Sequence, residues 1–193
     1  MLIDEIKEKI GEKIYISTKE LIELGAAKSS ISYLVSSGKL KRVSRGIYSL
    51  EDDFADVMFL LHSKYKSGVF SHESALYLHT LTDQIPEIHT LSVARNYSVQ
   101  ASKDYKVQFK YIDKKILNLG VEMKKTDMGN EIPVYNIDRT ICDIIRSDSK
   151  MDPYVVNNAI RQYMETGKLS MLMIYAAQMG IEKKVYRKLE VLL

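Results

Sequence analysis

The 193-residue chain holds a single cysteine, Cys142, which excludes an internal disulfide and a Cys-rich zinc site. Long hydrophobic runs are missing too. Stretches such as Val57-Met58-Phe59-Leu60-Leu61 fall far short of the about 20 apolar residues that a spanning helix needs, so no membrane partner is expected. The opening Met1-Leu2-Ile3-Asp4-Glu5 carries acids and lacks the basic-then-apolar order of a signal peptide, so a cytoplasmic protein is the expectation. Nine glycines are scattered without a G-x-x-x-x-G-K-[ST], G-x-G-x-x-G or G-x-S-x-G pattern, which removes the usual phosphate-cradling loops and nucleophile elbow. None of His62, His72, His79 and His89 has a second histidine at i+3 to i+5, so neither a metal nor a cofactor is expected. There is no internal repeat, no low-complexity stretch and no Pro- or Ser-rich linker. What remains is an ordinary globular balance, 46% hydrophobic and 27% charged, in a length that suits one domain or two small ones.

Acidic residues are unevenly spread. Residues 1–50 hold nine Lys/Arg against six Asp/Glu, which accounts for the whole net charge of +3. Within them, the 26 residues Gly25 to Leu50 carry Lys28, Lys39, Lys41, Arg42 and Arg45 and no acid, the pattern of a polyanion-binding surface. The order of elements around that stretch points the same way. Ile3, Ile6 and Ile10 recur at helical spacing before Gly11. Ser17 or Thr18 can cap a second helix, with Glu20 placed for a capping box, Leu21 and Leu24 inward and Gly25 as the stop. Lys28-Ser29-Ser30 opens a third helix with Ile31, Leu34 and Val35 on its buried side and Gly38 at its end. Leu40-Lys41-Arg42-Val43 and Ile47-Tyr48-Ser49-Leu50 alternate around Ser44-Arg45-Gly46, a β-hairpin. Three helices with a short Gly turn, followed by a basic hairpin, are the order of a winged helix-turn-helix over residues 1–50.

In that motif the third helix reads the major groove of double-stranded DNA. Lys28, Ser29, Ser30, Ser32 and Tyr33 lie on its outward side as base- and phosphate-contacting groups. Lys39, Lys41 and Arg42 suit flanking phosphates, and Arg45, at the hairpin turn, suits the minor groove or a phosphate.

Residues 51–193 read as a larger mixed α/β domain, so the fold class is α/β (α+β). The acidic break Glu51-Asp52-Asp53 opens it, and Asp52 or Asp53 can cap a helix through Val57, Leu60 and Leu61, stopped by Ser67-Gly68. Ser71 can cap a helix through Ala75, Leu76 and Leu78. Four strands are expected at 88–93, 107–111, 120–124 and 132–135. Helices then follow, with Asp138 capping the first, Asp152-Pro153 opening the second, and apolar stripes at Val155/Val156/Ala159/Ile160/Tyr163, Leu172/Tyr175/Ala176/Met179 and Val185/Leu189/Leu192. Lys184, Arg187 and Lys188 share a face of the last helix, a possible second basic surface. Asp113 with Glu122-Met123-Lys124 imitates the acid…E-x-K arrangement of metal-dependent nucleases, and a nuclease targeted by the winged helix is the alternative reading of the chain.

Three segments give a family resemblance. The hairpin ending Arg42-Val43-Ser44-Arg45-Gly46-Ile47-Tyr48, the segment Phe70-Ser71-His72-Glu73-Ser74-Ala75-Leu76-Tyr77-Leu78-His79 and the segment Tyr135-Asn136-Ile137-Asp138-Arg139-Thr140-Ile141-Cys142-Asp143-Ile144-Ile145 resemble, in order, the R-G-x-Y, S-H-x-S-A-L and R-T-hydrophobic-x-D patterns of the AbiE-type abortive-infection antitoxins. The resemblance implies a non-enzymatic type IV antitoxin of a phage-resistance system. It implies binding to inverted repeats in its own promoter as an autorepressor. It also implies neutralisation of a nucleotidyltransferase-like toxin without a stable complex. Such a protein would be cytoplasmic, nucleoid-associated when bound to DNA. The residues themselves support only the DNA-binding half. Ser71 as a cap and Arg139 with Asp143 at i, i+4 suit structural roles first.

Overall fold

The computed structural model describes residues 2–11, 14–50, 55–100, 102 and 104–192. The chain is mixed α+β with two sheets, and its residues group into two compact units, Met1–Lys66 with Lys125–Glu131, and Ser67–Lys124 with Ile132–Leu193.

The first unit runs α1 (Leu2–Ile10), β1 (Tyr15–Ser17), α2 (Thr18–Glu23), α3 (Lys28–Ser36), β2 (Lys41–Ser44), β3 (Ile47–Ser49) and α4 (Val57–Lys64). Its sheet has the order β1-β3-β2, antiparallel throughout. Ser17 opens α2 through the expected capping box: its Oγ accepts from the Glu20 amide at 3.2 Å and its own amide donates to the Glu20 carboxylate at 2.8 Å. Ile6, Ile16, Leu21, Ala26, Ile31, Leu34, Leu40 and Tyr48 form the core, with Ile3, Leu24 and Val35 packed against it. The Ile10 side chain lies outside the described residues. α3 is therefore held by its inward stripe and turns its other face to water.

The unit does not stop at residue 50. The acidic break and its candidate caps, Asp52 and Asp53, lie outside the described residues, and the cap of α4 is Asp56, whose Oδ1 accepts from the Phe59 amide at 3.0 Å. The second oxygen of Asp56 accepts from Thr126 Oγ1 at 2.5 Å and Asn130 Nδ2 at 2.8 Å, and the Tyr15 hydroxyl binds the Asp56 amide at 2.7 Å. Tyr15 stacks on Phe59 with ring centroids 5.3 Å apart. One buried carboxylate thus gathers donors from distant segments, which is why residues 125–131 group with this unit.

The second unit contains β4 (Val69–Phe70), α5 (His72–Leu78), β5 (His89–Ala94), β6 (Val107–Ile112), α6 (Lys114–Leu117), β7 (Val121–Lys125) and β8 (Glu131–Tyr135), then α7 (Ile137–Ser147), a 3-10 turn, α8 (Pro153–Thr166), α9 (Leu169–Met179) and α10 (Glu182–Leu192). The last residue of β7 and the first of β8 fall in the 125–131 segment. The sheet order is β6-β5-β4-β8-β7. β4 is a fifth strand, central in the sheet and antiparallel to β5 but parallel to β8. Its two residues are too few to show alternation in sequence. α7 is the hub of the helical layer: Ile141, Cys142, Ile144 and Ile145 pack with Val156, Ala159 and Ile160 of α8, Leu172 and Ala176 of α9, and Val185 and Leu189 of α10.

Two caps differ from expectation. Asn136, not Asp138, opens α7 by accepting from the Arg139 amide at 2.9 Å, and Asp138 instead accepts from the Tyr163 hydroxyl at 2.6 Å. Ser71 stands at the cap position of α5 without a capping bond, because its hydroxyl is spent on Ser92 at 2.9 Å and His72 Nδ1 at 3.0 Å. Asp152 caps α8 as expected, ahead of Pro153.

Candidate nucleic-acid interface

The candidate surface is built on α3 and the β2–β3 hairpin. Gly25, at φ +84°, lets the chain leave α2 and turn within four residues into α3. Ala27 precedes α3 without a side-chain cap, and the helix has no acid in its first turn. Its first-turn amides are therefore left to solvent or to an anion. Lys28, Ser29, Ser32 and Tyr33 are exposed and Ser30 is half-buried, with Tyr33 65% exposed. Ser32 Oγ donates to the Lys28 carbonyl at 3.0 Å, so its hydrogen is used and its lone pairs face outward; it presents an acceptor.

Lys39, Lys41, Arg42 and Arg45 are all exposed. With Lys28 they make five outward bases on a stretch without a carboxylate. The hairpin turn that carries Arg45 is pinned from α2: the Thr18 amide donates to the Gly46 carbonyl at 2.8 Å. Gly46 has φ +78°, and a Cβ there would meet Thr18 Oγ1 at 3.2 Å. The R-G-x-Y pattern thereby divides physically. Gly46 permits the turn, Tyr48 enters the core, and Arg45 is left pointing at solvent. Sequence reasoning missed Thr18 as the residue that positions Arg45, since 28 residues separate it from Gly46.

The remaining candidates fare differently. Lys184 Nζ donates to Asp148 Oδ1 at 2.8 Å and to the Arg146 carbonyl at 2.9 Å, and Lys188 lies 3.9 Å from Asp148. That leaves Arg187 as the one of the three not paired with an acid among the described residues. Two of the nuclease-like trio are similarly occupied. Asp113 caps α6 by accepting from the Lys115 amide, and Lys124 donates to His79 Nδ1 at 3.0 Å. His79 Nε2 in turn donates to the Tyr135 carbonyl at 2.8 Å. Burial, with Lys124 alongside, lowers the His79 pKa and keeps the ring neutral. Among the described residues no group of three His, Cys, Asp or Glu could hold a metal ion.

The two segments of the second unit that carried the resemblance are mostly buried, Ile137 being exposed and Glu73 half-buried among them. His72, at φ +52°, joins Ser71 to Ser147, and Ser74 accepts from the Thr90 amide at 2.9 Å. Burial, with Lys110, Arg146 and Arg139 nearby, pushes the His72 pKa down to about 3. Arg139 Nε donates to Asp143 at 3.0 Å, Nη1 reaches the Ile116 and Leu119 carbonyls, and the guanidinium lies 4.2 Å over the Tyr135 ring. These groups stitch α5 to β5 and to α7, and fix the α6 turn against α7.

Residues 4–50, which span the helices and hairpin just described, match the sequence profile of a family described as "Transcriptional regulator, AbiEi antitoxin". That stretch of the chain is therefore similar to an AbiEi antitoxin-type regulator. The acid-free face described above lies wholly within the matched residues. A crystal structure of the RV2827C protein from Mycobacterium tuberculosis shares the fold, with a TM-score of 0.64 and 12% identity over 100% of this chain and 76% of that one. No curated protein matches the chain. No helix among the described residues is long and apolar enough to cross a membrane.

Proposed function

We propose that the chain is a DNA-binding autorepressor and the antitoxin of a type IV toxin–antitoxin pair, with α3 in the major groove and the β2–β3 hairpin as the wing. The observation that carries the reading is the set of five exposed bases, Lys28, Lys39, Lys41, Arg42 and Arg45, around the outward face of α3 on a stretch with no acid. Lys28, Ser29, Ser30, Ser32 and Tyr33 would meet base edges and the nearest phosphates. Lys39, Lys41 and Arg42 would flank them, with Arg45 at the wing tip. Ser32, presenting an acceptor, suits a cytosine or adenine amino group.

One reading helix per chain implies paired half-sites, one helical turn or a whole multiple apart, in the chain's own promoter. The antitoxin half of the proposal, neutralisation of a nucleotidyltransferase-like toxin without a lasting complex, rests on the AbiE-type resemblance and on the AbiEi profile match. The protein would act in the cytoplasm, at the nucleoid, without catalysis of its own. Footprinting of the purified protein on its promoter is the test. Two protected half-sites in inverted orientation are expected, and a single unpaired site or uniform non-specific protection would contradict the proposal.

A further inference from the structure

The second unit carries a cleft of about 360 Å³ between the loop 82–88, the face of β5 and the start of α8. Its chemistry is the opposite of the α3 face. Three carboxylates, Glu73, Glu87 and Asp152, line it, and none of its lining residues is Lys or Arg. Two carboxylates are held ready. Glu73 Oε2 accepts from Thr90 Oγ1 at 3.3 Å and Asp152 Oδ1 accepts from the Tyr154 amide at 2.8 Å. Among the described residues no base pairs with either. Glu87 meets Lys106 at the rim, but both side chains are largely exposed and such a pair exchanges readily.

The cleft is also apolar. Met151 is buried in its wall, while Ile85 is 75% and Ile88 49% exposed at its edge. Two large aliphatic side chains beside one cavity, facing water, mark a surface that another molecule covers. The combination selects the occupant. Nucleic acid and anionic lipid are repelled by Glu73 and Asp152, which no base offsets among the described residues. A small free polycation satisfies the charge but leaves both isoleucines wet. A polypeptide satisfies both: the aliphatic stem of a Lys or Arg lies along Met151 and Ile88 with its head at Glu73 and Asp152, and a neighbouring apolar side chain covers Ile85.

We infer that the cleft lined by Ile85, Ile88, Glu73 and Asp152 docks a segment of a partner protein in which basic and apolar side chains alternate. The inference goes beyond the DNA-reading proposal and does not depend on it, because every lining residue belongs to the second unit.

The test uses the full chain and a fluorescein-labelled peptide of sequence LRLRLR, followed by anisotropy. Saturable binding is expected, weakened about fivefold or more by Glu73→Gln and likewise by Ile85→Ser, a loss of about 1 kcal/mol each at 1.4 kcal/mol per tenfold. Gln at 73 keeps an acceptor for Thr90, and Ile85 is a surface residue, so both variants should fold, which an unchanged circular dichroism spectrum and melting temperature check. An LELELE peptide should not bind, and spermidine should not displace LRLRLR at comparable concentration. Absence of saturation up to about 1 mM, equal binding of the acidic peptide, full displacement by spermidine, or unchanged affinity in both variants would each overturn the inference. Loss of promoter DNA binding by the native chain would instead sink the DNA-reading proposal and leave this one standing.

Discussion

Arg45→Ala isolates the wing contact from the fold. Arg45 is exposed, it sits beside Gly46, and the turn is held by Thr18 through the Gly46 carbonyl rather than by the Arg45 side chain. The substitution should therefore leave thermal stability unchanged. Five phosphate contacts at about −0.9 each give a slope of roughly −4.5 in log affinity against log salt, and raising salt from about 50 to 200 mM weakens binding roughly 500-fold. Removing one contact brings the slope to about −3.6 and the same salt jump to roughly 150-fold. At low salt the lost contact should cost about 1–3 kcal/mol. The assay is anisotropy of labelled promoter DNA at four salt concentrations, with native protein, Arg45→Ala and Arg187→Ala in parallel. Arg187→Ala should change nothing, since its neighbours Lys184 and Lys188 are engaged with Asp148 rather than a polyanion. A native slope near zero would remove the charge argument altogether. An unchanged slope in Arg45→Ala would show that the wing tip touches no phosphate, and a reduced slope in Arg187→Ala would put α10 on the DNA.

Asp56→Ala removes the cap of α4 and strands the donors of Thr126 and Asn130; it should destabilise by about 2–4 kcal/mol in urea unfolding, and a loss under about 1 kcal/mol would mean the buried carboxylate is not the hub of its unit. Asp143→Asn leaves Arg139, fully buried, without its counter-charge, and the expected cost is about 3–5 kcal/mol, seen as a Tm drop of about 10 °C; a shift of a degree or two would contradict it. His72 stays neutral when folded, with its pKa down to about 3 against an ordinary 6.5, so only the unfolded chain takes up a proton as pH falls below about 6.5. That contribution to stability is present above pH 6.5 and declines toward pH 3, by up to about 1.4 kcal/mol per pH unit. His72→Asn, tolerated at φ +52°, should flatten this part of the dependence between pH 7.5 and 5.5, and an equal loss in native and variant protein would acquit His72.

Local signals in the chain were read well where the partners are close in sequence. Ser17 with Glu20, Asp152 before Pro153 and the inward stripe Ile31-Leu34-Val35 each act within one or two helical turns, so spacing alone specifies them. Reading failed where a polar group had a choice of partners. Asp138 and Asn136 can both cap α7; Tyr163, 25 residues away, takes Asp138 and leaves the cap to Asn136. Ser71 looks like a cap until Ser92 claims its hydroxyl across the sheet. The Asp56 hub links residues 70 and 74 positions apart, and no periodicity encodes such a pairing. Residue 50 accordingly looked like an edge in composition, whereas the contacts of Asp56 and Tyr15 carry the first unit on to Lys66.

The same distinction explains which parts of the candidate sites were visible. Arg139, Asp143, His72 and Ser71 are polar groups in a dry interior. Each is hydrogen-bonded at fixed geometry, so few other residues would serve, and the segments holding them stand out as patterns. They are the most recognisable part of the second unit and the least available to any partner. The α3 face was legible for another reason, because five bases without an acid leave a compositional trace that survives without a structure. The cleft at Glu73 leaves neither trace. Its acids lie on α5, the 82–88 loop and the start of α8, each beside ordinary neighbours, and only folding sets Glu73, Glu87 and Asp152 around one cavity with Ile85 and Ile88 at its edge. A surface whose charge is assembled from three separate segments is invisible to any window along the chain. It follows that a change in this second unit that abolishes antitoxin activity without unfolding the protein should fall on its exposed, pattern-free positions rather than on the buried segments that resemble the family. A set of random second-unit variants, sorted first for retained folding and then for loss of toxin relief, would contradict this if its hits cluster at Ser71, His72, Arg139 and Asp143.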